Sequence, residues 1–289
     1  SSAASDVYKR QCQDRLIEEV LKVQPNVVVV LHNGSPVELP WADKVSAILE
    51  MYLGGQGVGE ACDRLLYGEA NPSGRLAETF PYRLEDNPSY LHFPGNGKRV
   101  LYGEDIFVGY RYYDTKKVLV RYAFGHGLSY TEFAYGDLNL SSAQMTDEDI
   151  LTVSFKVKNT GKTEGKEVVQ LYVADLCGIS ERPVKELKGF AKVHLLPGEE
   201  KTVSMEILAR DLSYYEERLG DWYAPSGTYR ILIGHASDDI RLHADIVFET
   251  QKELPFRVDF TTTFGELLDH TKTAPVITAV SYTHLTLPT

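Results

Sequence analysis

Continuous apolar runs mark the first part of the chain. Residues 26–31 form a continuous β-branched run without polar alternation, which is typical of a strand buried on both faces of a parallel sheet. Residues 45–52 predict a second apolar strand. Apolar residues at helical spacing over 14–23, stopped by Pro25, predict a helix before the first strand, and a second helix is predicted over 60–67. This order of elements indicates an open, mostly parallel α/β sheet.

A period of two replaces these runs from residue 150 onward. Apolar and polar residues alternate there, as they do in strands with one buried face. The alternating stretches are 151–157, 169–173, 203–207, 229–233 and 240–246. Turn signals separate the strands at 159–161, 196–198 and 225–227. The pattern predicts an all-β sandwich of the immunoglobulin or fibronectin III-like type.

The stretch that joins these two regions is rich in aromatic residues and turn signals, which predicts ordered loops packed over a surface. The whole pattern therefore predicts a two-domain α+β protein. A partial α/β domain with its aromatic loops covers 12–132, the sandwich covers 133–250, and a tail follows over 251–289. Within the tail, 263–269 is predicted to form a short amphipathic helix.

The two chain ends fit neither domain. Residues 1–11 and 280–289 resemble translated sequencing-adapter sequence, and we expect both to be artefacts of a gene truncated on both sides. The residues after Val280 are expected to be disordered.

Composition narrows the class of protein. The 289 residues, 43% of them hydrophobic and 25% charged, can form two globular domains. A formal net charge of -11 argues against nucleic-acid or anionic-membrane partners, because phosphate binding needs a cationic surface. No apolar run approaches the roughly 18 residues that cross a bilayer, and 1–24 lacks a signal-peptide pattern. We expect a soluble protein, with the cytoplasm as the favoured location; a neutral ligand such as a sugar remains allowed.

Cysteine and histidine residues give no metal or disulfide pattern. The three cysteines are odd in number and far apart, so we expect them to be small buried apolar residues; they are Cys12, Cys62 and Cys177. The eight histidines are scattered. We expect His32, His92 and His126 to form hydrogen bonds in loops or in the core, and we expect no metal site.

The glycine-rich loop 54–59 follows a predicted strand and opens a predicted helix, as a phosphate-binding loop does. Its glycines match neither the dinucleotide nor the Walker spacing, and no Lys-Ser/Thr pair follows. We expect a tight structural turn.

Glu104 and Asp105 form an acidic pair among aromatic residues. A sugar could bind there by stacking on Tyr102 or Tyr110. The alternative, which we favour, is a loop anchored to Arg111. Tyr102, Glu104 and Asp105 are therefore the candidate substrate-binding residues, and both interpretations stay open.

Ordered motifs run through most of the chain. In the first domain they are 27–31 with 33–38 and Trp41, 52–56, 66–76, 79–81, 102–114 and 124–133. In the sandwich they are 159–161, 167–173, 182–190 and 196–199. Together they resemble the C-terminal region of glycoside hydrolase family 3, in its β-glucosidase branch, over about 14–250. No single motif is specific, but so many in one order are.

The resemblance implies a catalytic pair that lies outside this chain. In that family a (β/α)8 barrel supplies an aspartate nucleophile, the following α/β sandwich supplies a glutamate acid/base, and a fibronectin III-like domain comes last. The acid/base belongs to a Glu-Gly-x-Asp-Arg type motif before the helix that here begins near Asp14, and nothing upstream of Asp14 matches it. We therefore assign no catalytic residue.

Physical chemistry agrees with this assignment. Retaining glycosidases need two carboxylates about 5 to 5.5 Å apart. A barrel takes about 250 residues, for which this chain has no room beside its two domains. The resemblance implies a parent that cleaves terminal β-glucosyl or related residues without a cofactor. Its partners would be a small carbohydrate substrate and the missing N-terminal barrel, and this fragment alone is expected to be inactive. The alternative is a non-catalytic carbohydrate-binding or scaffold module.

Overall fold

The computed structural model describes residues 11–178, 181–256 and 258–285. Residues 1–10 and 286–289, which belong to the two ends expected to be foreign, lie outside the described residues. The chain forms two compact units. The larger one runs through Tyr214 and resumes over Tyr223–Gln251, and the smaller one combines Tyr215–Trp222 with the chain from Lys252 onward.

The larger unit begins with the predicted α/β elements. They are α1 (Gln11–Leu21), β1 (Val28–Leu31), β2 (Ala47–Glu50) and α2 (Val58–Leu66), with a 3-10 turn at Ala42–Lys44. β1 and β2 pair in parallel, with Val28 opposite Ala47 and Leu31 opposite Glu50. Residues from the loop after β1 form a small core with Phe80, namely Val37, Leu39 and Trp41. The indole Nε1 of Trp41 donates a 2.7 Å hydrogen bond to Asp14 Oδ1, which ties α1 to this core.

The prediction of a mostly parallel sheet is wrong. The next strands, β3 (Phe80–Pro81) and β4 (Val120–Tyr122), pair antiparallel, so in the described residues of the first domain one strand pair is parallel and one is antiparallel. A continuous apolar run indicates burial but carries no information about the direction of the neighbouring strand. Between β3 and β4 lie a 3-10 turn (Leu84–Asp86), irregular chain and α3 (Tyr110–Lys116).

Two sheets make up the predicted sandwich. The three-stranded sheet has the order β10 (Glu200–Leu208), β7 (Ile150–Asn159), β5 (Phe133–Leu140). The five-stranded sheet has the order β6 (Gln144–Thr146), β14 (Asp239–Glu249), β13 (Gly227–Ala236), β8 (Gly165–Asp175), β9 (Glu186–Leu195). All described pairs in these sheets are antiparallel except β6 with β14.

The sandwich core follows the alternation in the sequence. Leu151, Val153, Phe155 and Val157 of β7 are at most 1% exposed, while the residues between them face outward. β8 departs from this period because its second half is buried on both faces. Its outward-facing Tyr172 packs edge-on against Tyr110 of α3, with ring centroids 5.9 Å apart. The first domain therefore covers the outer face of β8.

The remaining elements are short. A turn, α4 (Ala209–Leu212), follows β10, and β11 (Tyr214–Glu216) pairs with β12 (Asp221–Tyr223). In the smaller unit, α5 (Phe264–Asp269) occupies the predicted helix, and Thr263 Oγ1 accepts a hydrogen bond from Glu266 N in a capping box. No helix in the described residues is long and apolar enough to span a membrane.

The expectation of disorder after Val280 is wrong as far as Leu285, because α6 covers Ala274–Leu285. Pro275 suits the first turn of this helix, where its missing N–H has no partner to lose. Within the helix, Thr278 Oγ1 donates to the carbonyl of Ala274.

Candidate functional site

A cavity of about 750 Å³ lies in the larger unit, beside β3 and α3. Its wall comes from the chain after β1 (36–38), from the entry to β3 (77–81) and from the irregular segment that precedes α3. Tyr110 and Tyr113 of α3 complete it. A volume of roughly 300 to 1,000 Å³ is typical of small-molecule sites, so this cavity is the candidate binding site of the chain.

The three candidate residues predicted from the sequence do not all lie at the cavity. Tyr102 and Glu104 line the cavity. Asp105 is exposed, does not line the cavity and has a left-handed backbone with φ of 49°. The acidic pair is therefore split, with one carboxylate at the cavity and one in solvent.

The favoured alternative was that Arg111 anchors the loop with the acidic pair, and this prediction is wrong because Arg111 pairs with a different carboxylate. Arg111 Nη2 lies 3.0 Å from Glu186 Oε1 on β9, not beside the acidic pair. Glu186 Oε2 also lies 3.0 Å from Arg182 Nη2, so this carboxylate pairs with two arginines. Burial alone would raise the pKa of Glu186, but Lys188, Arg111 and Arg182 hold that pKa below its usual range.

Three hydrogen bonds fix α3 against the start of β9, and α3 in turn holds one side of the cavity. Leu187 N donates to Tyr110 Oη at 2.7 Å, and Val184 N donates to Thr115 Oγ1 at 3.1 Å. Lys185 Nζ donates to Asp114 Oδ2 at 2.6 Å. The ring of Tyr110 also stacks on Phe124, with centroids 4.8 Å apart.

The polar groups of the cavity wall differ in their partners. Glu38 Oε1 accepts a 2.7 Å hydrogen bond from Leu84 N, so this carboxylate holds the 3-10 turn. Glu104 Oε2 and Thr79 Oγ1 are buried and have no hydrogen-bond partner in the structure. Unpaired buried polar groups are rare and each calls for an explanation, of which an absent ligand is one.

Close packing positions the segment that carries Glu104. A Cβ placed on Gly103 would lie 2.7 Å from Nε2 of His92, so only glycine allows this approach without displacing the ring. His92 itself lines the cavity. Gly103 and His92 are therefore in close contact, although they lie in different parts of the irregular segment.

A buried charge network, which the sequence did not suggest as a site, surrounds Glu167 on β8. Arg75 Nη2 lies 2.5 Å from Glu167 Oε2. Tyr135 Oη donates to Glu167 Oε1 at 2.6 Å, and His235 Nδ1 lies 2.5 Å from the same oxygen. His235 Nε2 lies 2.9 Å from the carbonyl of Gly127. Burial alone would raise the pKa of Glu167, but the hydrogen bond with His235 and the charge of Arg75 hold that pKa below its usual range.

One signal could have revealed this network. Glu167 occupies an inward position of the β8 alternation, in step with the buried Val169 and Leu171. A carboxylate at such a position must be paired. Both of its oxygens are bound and its side chain is fully buried, so the network stabilises the fold and offers no site for a ligand.

A second group missed by sequence reasoning lies where β2 ends. Glu50 Oε1 accepts a 2.7 Å hydrogen bond from Tyr52 N, and Tyr52 has a left-handed backbone with φ of 47°. Burial raises the pKa of Glu50, and burial together with the charges of Glu50 and Glu78 raises the pKa of Tyr52 to about 12. The carboxyl ends of parallel strands often bind ligands, but Glu50 and Tyr52 do not line the cavity.

The cysteines are not the buried residues that we expected. Cys12 is exposed, Cys62 and Cys177 are half-buried, and all three are free thiols. Burial raises the pKa of Cys177 to about 11. Among the described residues no group of three or more His, Cys, Asp or Glu could hold a metal ion. His126 stacks on Tyr122, and burial lowers the pKa of His126.

Comparison with protein families gives two matches in the order that the resemblance implied. The glycosyl hydrolase family 3 C-terminal domain matches residues 3–130, and the fibronectin type III-like domain matches residues 167–237. The chain belongs to glycosyl hydrolase family 3. The cavity lies in the part that matches the family 3 C-terminal domain.

Several relatives of this family 3 chain are named β-glucosidases. It is 51% identical to thermostable beta-glucosidase B of Acetivibrio thermocellus over 92% of its own length and 35% of that protein. It is 46% identical to a beta-glucosidase of Kluyveromyces marxianus over 86% of its own length and 29% of that protein. The chain thus spans about a third of the length of these relatives.

Solved structures agree with the family 3 assignment. The GH3 beta-glucosidase of Bifidobacterium adolescentis superposes on 92% of the chain with a TM-score of 0.83 at 38% identity, and the chain covers 39% of it. The Kluyveromyces marxianus enzyme in complex with glucose superposes on 82% of the chain with a TM-score of 0.77 at 43% identity, and the chain covers 28% of it.

Proposed function

We propose that this chain is the C-terminal part of a retaining β-glucosidase-type hydrolase that cleaves terminal β-glucosyl or related residues. The observation that carries the proposal is the 51% identity to a named β-glucosidase across 92% of the chain, which reaches only 35% of that relative. The barrel and both catalytic carboxylates belong to the part of the parent that this chain does not match.

The acidic residues at the cavity support placing catalysis elsewhere. A retaining mechanism needs one carboxylate as nucleophile and a second as acid/base, about 5 to 5.5 Å apart on rigid elements. Glu38 is bound to a backbone N–H, and Asp105 does not line the cavity. Glu78 and Glu104 also line the cavity. We assign neither of them a catalytic role, because the proposal places both catalytic carboxylates in the part of the parent that this chain does not match.

The partners follow from this proposal. The intact parent acts on a small carbohydrate, in keeping with the glucose complex of the Kluyveromyces marxianus enzyme, and uses no cofactor. The N-terminal barrel is the intramolecular partner of the first domain. Leu16 and Val23 of the first helical region are 63% and 85% exposed, which is consistent with a surface that a further domain covers. We propose no nucleic-acid or membrane partner, and a cytoplasmic location stays a prediction.

Domain boundaries belong to the same proposal. The first domain ends at residue 132, the fibronectin III-like domain covers 133–250, and the tail covers 251–289. β5 begins at Phe133 and β14 ends at Glu249, which supports these boundaries. That residues 1–11 and 280–289 are foreign stays a prediction.

An aryl β-glucoside assay tests the catalytic part of the proposal. The purified chain and its Glu104→Gln variant should both give background signals, because losing both catalytic carboxylates removes covalent catalysis. Turnover by the unmodified chain that disappears in Glu104→Gln would overturn the proposal and make Glu104 catalytic.

A chimera tests the relation to the parent. We expect an enzyme in which this chain replaces the matching C-terminal region of the Acetivibrio relative to hydrolyse aryl β-glucosides. The alternative, a non-catalytic carbohydrate-binding or scaffold module, is favoured by one observation, namely that the cavity is formed wholly within this chain. A folded chimera without turnover would favour that module.

A further inference from the structure

We propose that the cavity beside β3 and α3 is a binding site for a neutral hexose, and that Glu104 and Thr79 recognise the sugar's hydroxyl groups. The inference rests on the proposed function only for the choice of a hexose as ligand. The site itself follows from the cavity and from the two polar atoms that lack partners.

The wall of the cavity suits a sugar because it is largely apolar with a few polar groups, as small-molecule sites generally are. The irregular segment contributes apolar side chains that include Phe93, Val100 and Leu101, and Tyr102 adds an aromatic ring. The C–H faces of a hexose can pack against these groups, while its hydroxyls need hydrogen-bond partners.

Glu104 and Thr79 supply those partners. The residue Thr79 is only 6% exposed, and its hydroxyl, which can donate and accept, lies buried without a partner. Glu104 Oε2 is an acceptor buried without a donor. A ligand that fits both must offer at least one hydroxyl that donates to the carboxylate, and a polyhydroxylated sugar does so.

The charge of the wall excludes other classes of ligand. Glu38, Glu78 and Glu104 all line the cavity, so an anion would be repelled. His92 is the basic side chain that lines it. A metal ion would need several ligands together, and the described residues hold no group of three or more His, Cys, Asp or Glu suited to one. A neutral polyol remains.

The wall is held in place before any ligand binds. The Tyr110 hydroxyl accepts from Leu187 N, and Glu38 accepts from Leu84 N, so two sides of the cavity are fixed by backbone hydrogen bonds. The contact between Gly103 and His92 sets the position of the turn that carries Glu104. Preorganised polar groups lower the cost of ordering on binding.

Ligand-observed NMR titration of the full chain with D-glucose tests the proposal, with glycerol as a smaller polyol for comparison. Thr79→Val keeps the shape of the side chain and removes the hydroxyl. Glu104→Gln keeps the size and removes the charge. Asp105→Asn is the matched control, because Asp105 is the neighbouring carboxylate and does not line the cavity.

We expect saturable binding of D-glucose that is tighter than that of glycerol. Glu104→Gln should weaken it about tenfold or more and Thr79→Val about threefold to tenfold, because hydrogen bonds to charged groups are stronger than neutral ones. Asp105→Asn should leave the dissociation constant unchanged. Both site variants should keep the melting temperature of the unmodified chain within a few degrees, which separates lost binding from lost folding.

Two results would overturn the site. One is the absence of saturable glucose binding, and the other is binding that Glu104→Gln and Thr79→Val leave unchanged or that Asp105→Asn weakens equally. Either result would leave the glycosidase proposal standing, because the chimera measures turnover and this titration measures binding alone.

Discussion

At the scale of single residues, the fully buried carboxylate of Glu167 has the largest electrostatic consequence. Arg75 comes from the first domain, whereas Tyr135 and His235 come from the two sheets of the sandwich, and all three contact Glu167. A buried charge costs several kcal/mol unless it is paired. The network therefore joins the first domain to both sheets and penalises any arrangement in which Glu167 is buried alone.

Removal of the Glu167 charge should destabilise the chain. Glu167→Gln leaves the Arg75 side chain, which is 6% exposed, without its counter-ion, and we expect the free energy of unfolding to fall by about 3 to 5 kcal/mol in urea titrations. Glu164→Gln is the control. Glu164 lies on the surface beside His194, so its substitution should cost less than about 0.5 kcal/mol. Equal effects of the two variants would contradict this prediction.

The stability of the chain should depend on pH through the ionisation of Glu167. The pKa of folded Glu167 lies below its value in the unfolded chain, about 4.3, so its contribution is complete above that value and is lost as pH falls through the folded pKa. The difference in unfolding free energy between the unmodified chain and Glu167→Gln should be constant near neutral pH and shrink below about pH 4. A difference that grows as the pH falls would contradict the prediction that the pKa of Glu167 is lower in the folded chain.

At the scale of elements, β7 is the strand on which the three-stranded sheet depends. It lies between β10 and β5, with Val203 opposite Phe155 and Tyr135 opposite Val157. Phe155 is fully buried, and its ring lies parallel to that of Tyr135 with centroids 6.5 Å apart. One face of β7 thus forms the core and the other faces outward.

Phe155→Ala should leave a cavity in the sandwich core. We expect a loss of about 3 to 5 kcal/mol, because the ring loses both its transfer free energy and its contacts. Lys158→Ala, on the exposed face of the same strand, should change stability by less than about 0.5 kcal/mol. Thermal and urea unfolding would measure both, and a small effect of Phe155→Ala would mean that the core does not have the packing described.

At the scale of the whole molecule, the sandwich has its own core, yet it is not independent of the first domain. Eighteen buried residues form one cluster that lies wholly within the sandwich strands and their connections. The first domain adds Arg75 beside Glu167 and Tyr110 beside Tyr172. The sandwich should therefore fold alone, but with lower stability than in the chain.

Expression of residues 133–250 tests this relation. We expect a cooperative thermal transition, because the main core is retained. Glu167→Gln should cost about 1 kcal/mol less in the isolated domain than in the full chain, since the coupling to Arg75 is absent. A non-cooperative transition would show that 133 is the wrong boundary. An unchanged cost would show that Arg75 does not stabilise Glu167.

The sequence by itself determined the family, the first helices and strands, and the main strands of the sandwich. Alternation of apolar residues located the sandwich strands because a strand with one buried face has a period of two. The stretch after the glycine-rich loop and the amphipathic pattern of 263–269 located α2 and α5. Ordered motifs indicated family 3. These patterns can be read from the sequence because the face of a strand or helix on which a residue lies depends on its position within that element.

Only the tertiary structure decided which elements meet. Glu167 is 92 residues from Arg75 and 68 from His235, and no local pattern encodes either pairing. The antiparallel pairing of β3 with β4, the partner of Arg111 and the separation of Glu104 from Asp105 at the cavity were equally absent from the sequence pattern. The physical reason is that strand direction, ion pairing and cavity walls arise from contacts between distant segments, whereas hydrophobic periodicity reports only whether a residue is buried.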